Sequence, residues 1–422
     1  MIECIMQGYL GTQTPYIYQK SCHHKPPKGY RPFYINHLGR HGARYLTNVD
    51  GLEQMINILE QAECTQQLTN RGSVLKEQLQ VLLPSETENK GQLTKSGYVM
   101  EREIARRMYQ NYPEVFGKEV FAVSTYVERT KQSMQAFLEE LNQWIPFCYL
   151  HAKSNGKEDP ILRFFDINEA YLEYKKNGCW KNEISEYAKR ENICPSVLKR
   201  LFKENFIKTH FKEETVAHEF ISELYKVYTN QFDIVGKTTL QEIFTEEELQ
   251  YLWENENARQ YLSKGPSNVG QVLPTNIAFP LLMDFLNTSE EAVKYRNCSA
   301  HLRFAHAETI IPFSGLLRLL GFFNQTNAIG QIALLWQDSW VAPMAANLQW
   351  IFYEHPRKHD VLLKILYNES EVYLPIRSNY MPYYAYSQVR GFYLEQIRCM
   401  QLNWSDSLSI MLKKYNIKSK YC

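Results

Sequence analysis

The chain has 422 residues, with 47 Lys and Arg against 46 Asp and Glu and a formal net charge of +1. This balance excludes a basic nucleic-acid coat protein and an acidic disordered tail protein, because both depend on a large field of one sign. The 44% hydrophobic content is enough for packed cores, and the length suits about two to three domains or one domain with a large insertion.

The amino terminus and the cysteines say little about compartment. Residues 1–6 hold neither a positive nor a long apolar segment, so we expect no secretory signal in the sequence. A signal already removed would place the protein in the periplasm, outside the cell or in an endomembrane lumen. The most apolar stretch, 310–323, is too short to cross a membrane, so we expect a soluble protein. Nine scattered cysteines without a CxxC pair argue against zinc and leave disulfide pairing open.

The first β-rich run, 32–38, is followed at once by Arg40, His41, Gly42 and Arg44. Guanidinium groups suit phosphate oxygens, and a neutral imidazole between them can attack phosphorus. By average residue usage, Arg-His-Gly-X-Arg arises by chance in roughly one chain per thousand of this length. Its position after a strand adds weight, because ligands in α/β sheets bind at the carboxyl ends of strands.

The second run, 119–124, precedes Arg129, which alone is more typical of a helix start than of a ligand. A region with few strand signals follows, and its apolar spacing predicts helices over 182–190, 195–206 and 213–228. We interpret 143–298 as an all-helical insertion that caps the site, with a loop at 265–268. The α/β core then comprises 1–142 and 299–422.

The third run, 301–305, leads into His306, Ala307 and Glu308. A His and a Glu at a strand end can hold a phosphoryl oxygen and protonate a leaving alcohol, although an isolated His-Ala-Glu is usually a polar turn. A pair of runs at 361–367 and 371–375 predicts a hairpin. These strand, loop and helix patterns predict an α/β fold with a mostly parallel sheet flanked by helices.

Together these loops resemble the histidine acid phosphatases, branch 2 of the histidine phosphatase superfamily, and the His-Ala-Glu form resembles the multiple inositol-polyphosphate phosphatases and related phytases. Supporting stretches lie at 11–16, 93–97 and 344–349. Two positions depart from the family pattern: Leu46 replaces a proline, and Gln13 replaces a lysine that would add a cation on the substrate side.

The resemblance implies hydrolysis of phosphomonoesters through a phosphohistidine on His41, with no metal or cofactor. It implies that Arg40, Arg44, Arg129 and His306 hold the phosphoryl oxygens and that Glu308 donates the proton. Because cations favour ionised Glu308, we expect activity to favour mildly acidic conditions. The implied substrates are inositol polyphosphates, with no nucleic-acid or membrane partner; the oligomeric state is left open.

Charge within the predicted insertion suggests how a polyphosphate could be held. Between Lys175 and Lys212, ten basic residues face four acidic ones, giving 10 − 4 = +6. A solvated helical surface explains such a run equally well. The alternative is a cradle for spectator phosphates, for which we select Lys189, Arg190, Lys199 and Lys203.

Other functions remain open. A broad-specificity acid phosphatase or lysophospholipid phosphatase would share the fold, and the basic insertion argues against it. A mutase of the other branch is disfavoured by the late His-Ala-Glu. A non-catalytic phosphate-binding protein is disfavoured because every residue needed for the chemistry is present.

Overall fold

The fold is built on one mixed sheet with the strand order β3-β2-β4-β1-β5-β6-β7, and β8 pairs with β6. The computed structural model describes residues 9–20, 23–145, 149–235, 240 and 243–419. The strands are β1 Arg31–Arg40, β2 Glu119–Ser124, β3 Leu150–Ser154, β4 Cys298–Ala305, β5 Asn347–His355, β6 Lys358–Tyr367, β7 Ser370–Glu371 and β8 Tyr383–Ala385.

The described α-helices surround this sheet or extend from it. They are α1 Asp50–Cys64, α2 Asn70–Glu88, α3 Lys95–Asn111, α4 Glu128–Trp144, α5 Phe164–Ile167, α6 Glu169–Asn177, α7 Trp180–Ala188, α8 Cys194–Leu201, α9 Glu204–His210, α10 Glu214–Val235, α11 Glu246–Lys264, α12 Leu273–Asn276, α13 Phe279–Tyr295, α14 Ala307–Leu316, α15 Ile332–Leu335, α16 Asp338–Val341, α17 Tyr386–Cys399 and α18 Leu408–Ser419.

The predicted fold class is confirmed. The three predicted runs are β1, β2 and β4, and they lie side by side with parallel pairing. β5 was not predicted; it pairs antiparallel with both β1 and β6. The predicted hairpin forms between β6 and β7, but β7 has only two residues.

Hydrophobic side chains cover both faces of the sheet. On one face, α3 and α4 contribute Ile104, Met108 and Phe137 to a cluster with β2 and β4. On the other face, α13, α14 and α17 pack in a second cluster around Trp350 of β5. The inner strands β1, β4 and β5 are therefore enclosed, and their ends are held at fixed edges of the sheet.

The predicted insertion boundaries need two corrections. β3 lies inside 143–298 and pairs parallel with β2, so among the described residues the helical stretch begins after Ser154. The helices α1 and α2, predicted as core, share a hydrophobic cluster with α8 and α10. Both corrections arise from tertiary contacts. β3 is placed by its pairing with β2, and the spacing of an amphipathic helix shows which of its faces is buried but not which layer it packs against.

The helix predicted over 195–206 is two helices, α8 and α9. Phe202 between them is extended, with φ −128° and ψ 152°, and forms an isolated antiparallel bridge with Leu68. Its ring packs 5.2 Å from that of Phe206 and 5.7 Å from that of Phe220, measured between centroids. Burial of this aromatic ring explains why the chain breaks where the apolar spacing continues.

The expectations about the amino terminus, the cysteines and membrane spans concern residues that the structure describes only in part. Residues 1–6 and four of the nine cysteines, Cys4, Cys22, Cys148 and Cys422, lie outside the described part. The five described cysteines are free thiols. Among the described helices, none is long and apolar enough to cross a membrane.

Candidate active site

The candidate site lies at the carboxyl ends of three adjacent parallel strands. Arg40 ends β1, His306 directly follows β4, and Arg129 lies in the first turn of α4, which follows β2. Each strand ends in a loop at the same edge, so three distant sequence motifs meet there.

Backbone hydrogen bonds lock the loop after β1. The His41 N–H donates to the Ala305 carbonyl at 3.0 Å, which joins this loop to the end of β4. The Arg40 N–H donates to the Ala346 carbonyl at 2.7 Å, and the Ala345 N–H donates to the His41 carbonyl at 3.0 Å. The stretch 344–349 noted in the sequence is thus a backbone partner of the loop.

The stretch 93–97 packs against the same loop through two glycines. A Cβ on Gly42 would lie 2.5 Å from the Gly97 carbonyl oxygen, and a Cβ on Gly97 would lie 2.1 Å from that of Ala43. The Thr94 hydroxyl caps α3 by accepting from the Gly97 N–H at 3.1 Å. Both glycines are needed because the two backbones touch here.

His41 is arranged as a nucleophile. Its Nδ1 lies 2.9 Å from the Gly42 carbonyl oxygen, which can only accept, so Nδ1 carries the hydrogen and Nε2 keeps its lone pair. Burial, followed by the charges of Arg129 and Arg40, holds the pKa of His41 well below its usual value. The imidazole is therefore neutral and nucleophilic at physiological pH.

Three buried or half-buried guanidiniums surround His41. Arg40 donates through Nη1 to the carbonyls of Thr12 and Ala342. Burial and then the neighbouring Arg44 lower the pKa of Arg40 to about 9. Arg129 has its pKa lowered to about 10 by the same two causes. Such crowding of like charge is unfavourable without an anion, so the arrangement fits an anionic ligand.

Arg44 is held by a short network from two other elements. Its Nη1 donates to the Tyr45 carbonyl at 2.9 Å and to Asn230 Oδ1 of α10 at 3.3 Å. Asn230 donates in turn to the buried Glu86 of α2 at 3.3 Å, and Glu86 also accepts from the Leu46 N–H at 2.6 Å. The helical region therefore reaches into the site.

His306 lies between two guanidiniums. Arg163 Nη1 lies 3.1 Å and the Thr125 hydroxyl 3.0 Å from its Nε2, and Arg129 Nη2 lies 3.4 Å from its Nδ1. A guanidinium only donates and a neutral imidazole has one acceptor nitrogen, so at most one of these two guanidiniums donates to the ring. Burial and the charge of Arg129 lower the pKa of His306 to about 3, so the ring is neutral.

Glu308 forms an ion pair that the sequence did not indicate. Its Oε1 accepts from Lys264 Nζ, the last residue of α11, at 2.8 Å. Burial raises the pKa of Glu308, but the ion pair with Lys264 outweighs it, and the pKa lies well below its usual value. Without substrate, Glu308 is a carboxylate.

A cavity of about 820 Å³, the site cavity, is lined by Arg40, His41, Arg44, Arg129 and Glu308. His306 is buried and lies outside this lining. Beyond the predicted residues, its lining includes three cations from the helical region: Lys226, Arg259 and Lys264. All three have acidic partners in the lining, since Lys226 pairs with Glu223, Arg259 with Glu256 and Lys264 with Glu308. The cavity is large enough for a highly substituted six-membered ring.

The predicted cradle residues are placed elsewhere, and this interpretation needs correction. None of Lys189, Arg190, Lys199 and Lys203 lines the site cavity. Arg190 pairs with Glu254 on α11, ten residues before Lys264 and hence about 15 Å along the helix. Lys203 donates to the Gln66 carbonyl beyond the far end of α1, and Lys189 pairs with Glu186.

Sequence reasoning missed Lys264, Arg259, Asn230 and Arg163. Each lies on a helix or loop far from the three motifs, and no local pattern marks it. Only the packing of α10 and α11 over the strand ends brings the first three to the cavity. Among the described residues, no group of three or more His, Cys, Asp or Glu side chains is placed to hold a metal ion.

The fold resembles several solved structures at low sequence identity. The multiple inositol polyphosphate phosphatase of Bifidobacterium longum, in complex with inositol hexasulfate, aligns with a TM-score of 0.77 at 22% identity, covering 91% of this chain and 97% of that one. The phytase from D. castellii aligns with a TM-score of 0.66 at 15% identity, covering 93% and 85%. The Citrobacter braakii phytase gives 0.53 at 13%, covering 87% and 98%. No curated protein sequence matches the chain.

A family model, that of the histidine phosphatase superfamily (branch 2), matches residues 34–368, which include all three motifs at the strand ends. With this match over most of its length and with the strand order described above, the chain belongs to branch 2 of the histidine phosphatase superfamily.

Proposed function

We propose that the protein hydrolyses phosphomonoesters of inositol polyphosphates through a phosphohistidine on His41. The observation that carries this proposal is the neutral His41 imidazole, with Nδ1 bound to the Gly42 carbonyl, facing a cavity edged by Arg40, Arg44 and Arg129. Few arrangements other than phosphoryl transfer use a free imidazole lone pair amid unpaired guanidiniums.

In the first step, His41 Nε2 attacks phosphorus, and an N–P bond forms as the bond to the leaving oxygen breaks. Arg40, Arg44, Arg129 and His306 hold the non-bridging oxygens. These donors are in place before the reaction, so they stabilise the charge of the transition state without reorganisation. Water then attacks the phosphohistidine, which releases inorganic phosphate and restores His41.

Glu308 supplies the proton that the leaving alkoxide needs. It lies two residues after His306, in the first turn of α14 and in the cavity lining. It must be protonated to act, and its depressed pKa makes that form scarce at neutral pH. The proposed reaction therefore slows as pH rises, and a substrate with several phosphates offsets the depression by its own charge.

The cavity supports the substrate class. Lys226, Arg259 and Lys264 add positive charge beyond the catalytic group, where the spectator phosphates of a polyphosphate ring would lie. One observation favours a second candidate, a phosphatase of broad specificity for small monoesters. Lys226 and Arg259 are already paired with Glu223 and Glu256, so part of that charge is neutralised.

Labelling with radioactive substrate, quenched in alkali so that a phosphohistidine survives, tests the proposed reaction. We expect a label that is acid-labile, base-stable and absent in His41→Ala. An unlabelled wild-type protein would contradict the proposal. The ratio of kcat/KM for inositol hexakisphosphate to that for glycerol 2-phosphate separates the two substrate classes: a ratio near one favours broad specificity.

A further inference from the structure

Lys264 stands out among the cavity cations because it contacts the proposed proton donor. It is the last residue of α11 and is only 8% exposed. Its Nζ donates to Glu308 Oε1 at 2.8 Å, and it lines the site cavity. A buried ammonium here neutralises the carboxylate and at the same time faces the space that a substrate would fill.

The charged and titratable groups around the Glu308 carboxyl come from several elements. They are Lys264 and Arg259 of α11, Arg40 and Arg44 of the loop after β1, Arg129 of α4, Tyr171 of α6 and His306 beside α14. Glu256 of α11 and Asp338 of α16 are acidic, and their charges raise the pKa of Arg259. Only Lys264 forms an ion pair with Glu308 among the residues that the structure describes.

We propose that Lys264 makes proton donation depend on a second phosphate: its ammonium holds Glu308 as a carboxylate until a neighbouring phosphate of the substrate takes the ammonium over. This inference rests on the proposed function and assigns Lys264 a positioning and specificity-determining role within it. A monophosphate held only at His41 leaves the Lys264–Glu308 pair intact. A polyphosphate breaks it.

The physical argument is an exchange of partners. An opposite charge at this distance lowers a carboxyl pKa by about 1–3 units. A phosphate that binds Lys264 both weakens that effect and adds negative charge nearby, so Glu308 takes up one proton from solvent. That proton goes to the leaving oxygen as its bond to phosphorus breaks, and Lys264 keeps all of its own protons.

The test measures phosphoenzyme formation in a single turnover at saturating substrate across pH, because this rate reports groups in the enzyme–substrate complex. Inositol hexakisphosphate is compared with an inositol monophosphate, whose leaving group is also an alcohol of the inositol ring. The basic limb is the part of each pH–rate profile where the rate falls as pH rises. In the wild type, we expect the basic limb for the hexakisphosphate to lie about one pH unit or more above that for the monophosphate. Coinciding limbs would overturn the inference, with no variant needed.

Variants then assign the effect to Lys264. In Lys264→Met we expect the monophosphate limb to move up, so that the separation shrinks to the part that the charge of the spectator phosphates produces alone, while Lys264→Arg keeps the wild-type separation. A separation as large in Lys264→Met as in the wild type overturns the inference. Lys226→Met is the matched control. Lys226 lines the cavity, so its loss should weaken hexakisphosphate binding. Its ammonium pairs with Glu223 rather than with Glu308, so the separation between the limbs should stay unchanged.

The same experiment distinguishes the two proposals. A wild type that forms no phosphoenzyme with either substrate overturns the proposed function and this inference with it. A wild type that forms phosphoenzyme with coinciding limbs overturns only the role of Lys264. If the role of Lys264 were purely structural, Lys264→Met would lower the phosphoenzyme rates for both substrates together and leave both basic limbs at their wild-type pH.

Discussion

The strand ends that face the site cavity and the basic run over 175–212 are both rich in cations, but their charges have different partners. In the run, at least four cations form ion pairs with carboxylates: Lys189 with Glu186, Arg190 with Glu254, Arg200 with Glu248, and Lys208 with Glu204. At the strand ends, none of Arg40, Arg44 and Arg129 forms an ion pair among the described residues. Cations without an acidic partner, rather than many cations, distinguish the strand ends, where we propose that the phosphoryl group binds.

Replacing one arginine in each region is the strongest way to break this comparison. We expect Arg129→Ala to lower kcat/KM for inositol hexakisphosphate by about 10²–10³, because a preorganised donor to the transition state is lost. Arg200→Ala should leave kcat/KM within about twofold and instead lower the thermal midpoint, since Glu248 loses its partner. Steady-state kinetics and calorimetry measure the two effects. Similar kinetic losses in both variants would remove the distinction.

Paired double variants sharpen the comparison at the level of binding. Lys226→Met with Arg259→Met should raise KM for the hexakisphosphate about tenfold, which corresponds to about 1.4 kcal/mol. Lys189→Met with Lys203→Met should leave it unchanged, because neither residue lines the cavity. Initial rates over a range of substrate concentrations give KM for both double variants. A higher KM in the second pair alone would restore the cradle hypothesis.

The sequence predicted what local patterns control. The three parallel strands are short apolar runs, and the polar residues after them meet because parallel strands end at one edge. The partners of the basic run could not be predicted: Glu248 is 48 residues from Arg200, and Glu254 is 64 from Arg190. Lys264 was missed for the same reason, since its contact with Glu308 depends on where α11 ends against α14.

β5 shows a different limit. Residues 344–349 were noticed only as a supporting motif, although β5 begins within them and pairs with β1 over most of its length. Its inner position in the sheet gives it a nearly continuous buried run, and such a run does not alternate between apolar and polar residues. The antiparallel half of the sheet was therefore underestimated.

Two asparagines give a smaller and more local contrast. Asn230→Ala removes an acceptor from Arg44, so we expect kcat for the hexakisphosphate to fall about tenfold through a misplaced guanidinium. Asn255 accepts from Arg190 Nη1 at 2.8 Å in the basic run, and Asn255→Ala should leave kcat unchanged. Measuring kcat and KM separately shows whether Asn230 acts by positioning; a change in KM alone would indicate binding instead.

Two buried glutamates give the smallest expected effect, seen only in stability against pH. Glu101 lies beneath the loop after β1, near Ser133 and Gly42, and burial raises its pKa to about 8. Between the ordinary pKa and 8, the unfolded chain loses this proton while the folded chain keeps it, so Glu101 lowers stability as pH rises. Glu101→Gln cannot titrate and should be more stable than the wild type at pH 8, with little difference near pH 4.

Glu248 should behave in the opposite sense. Burial raises its pKa, but Arg200 and Ser196 outweigh burial and the pKa is lowered, so its stabilisation is present above the ordinary pKa and is lost as pH falls. We expect Glu248→Gln to be less stable than the wild type at pH 8 and to approach it in acid. Thermal midpoints of both variants from pH 3 to 8 measure this. If both variants shift the thermal midpoint in the same direction at pH 8, the carboxylates of the two regions do not differ in their partners. The contrast between the strand ends and the basic run would then rest on the arginines alone.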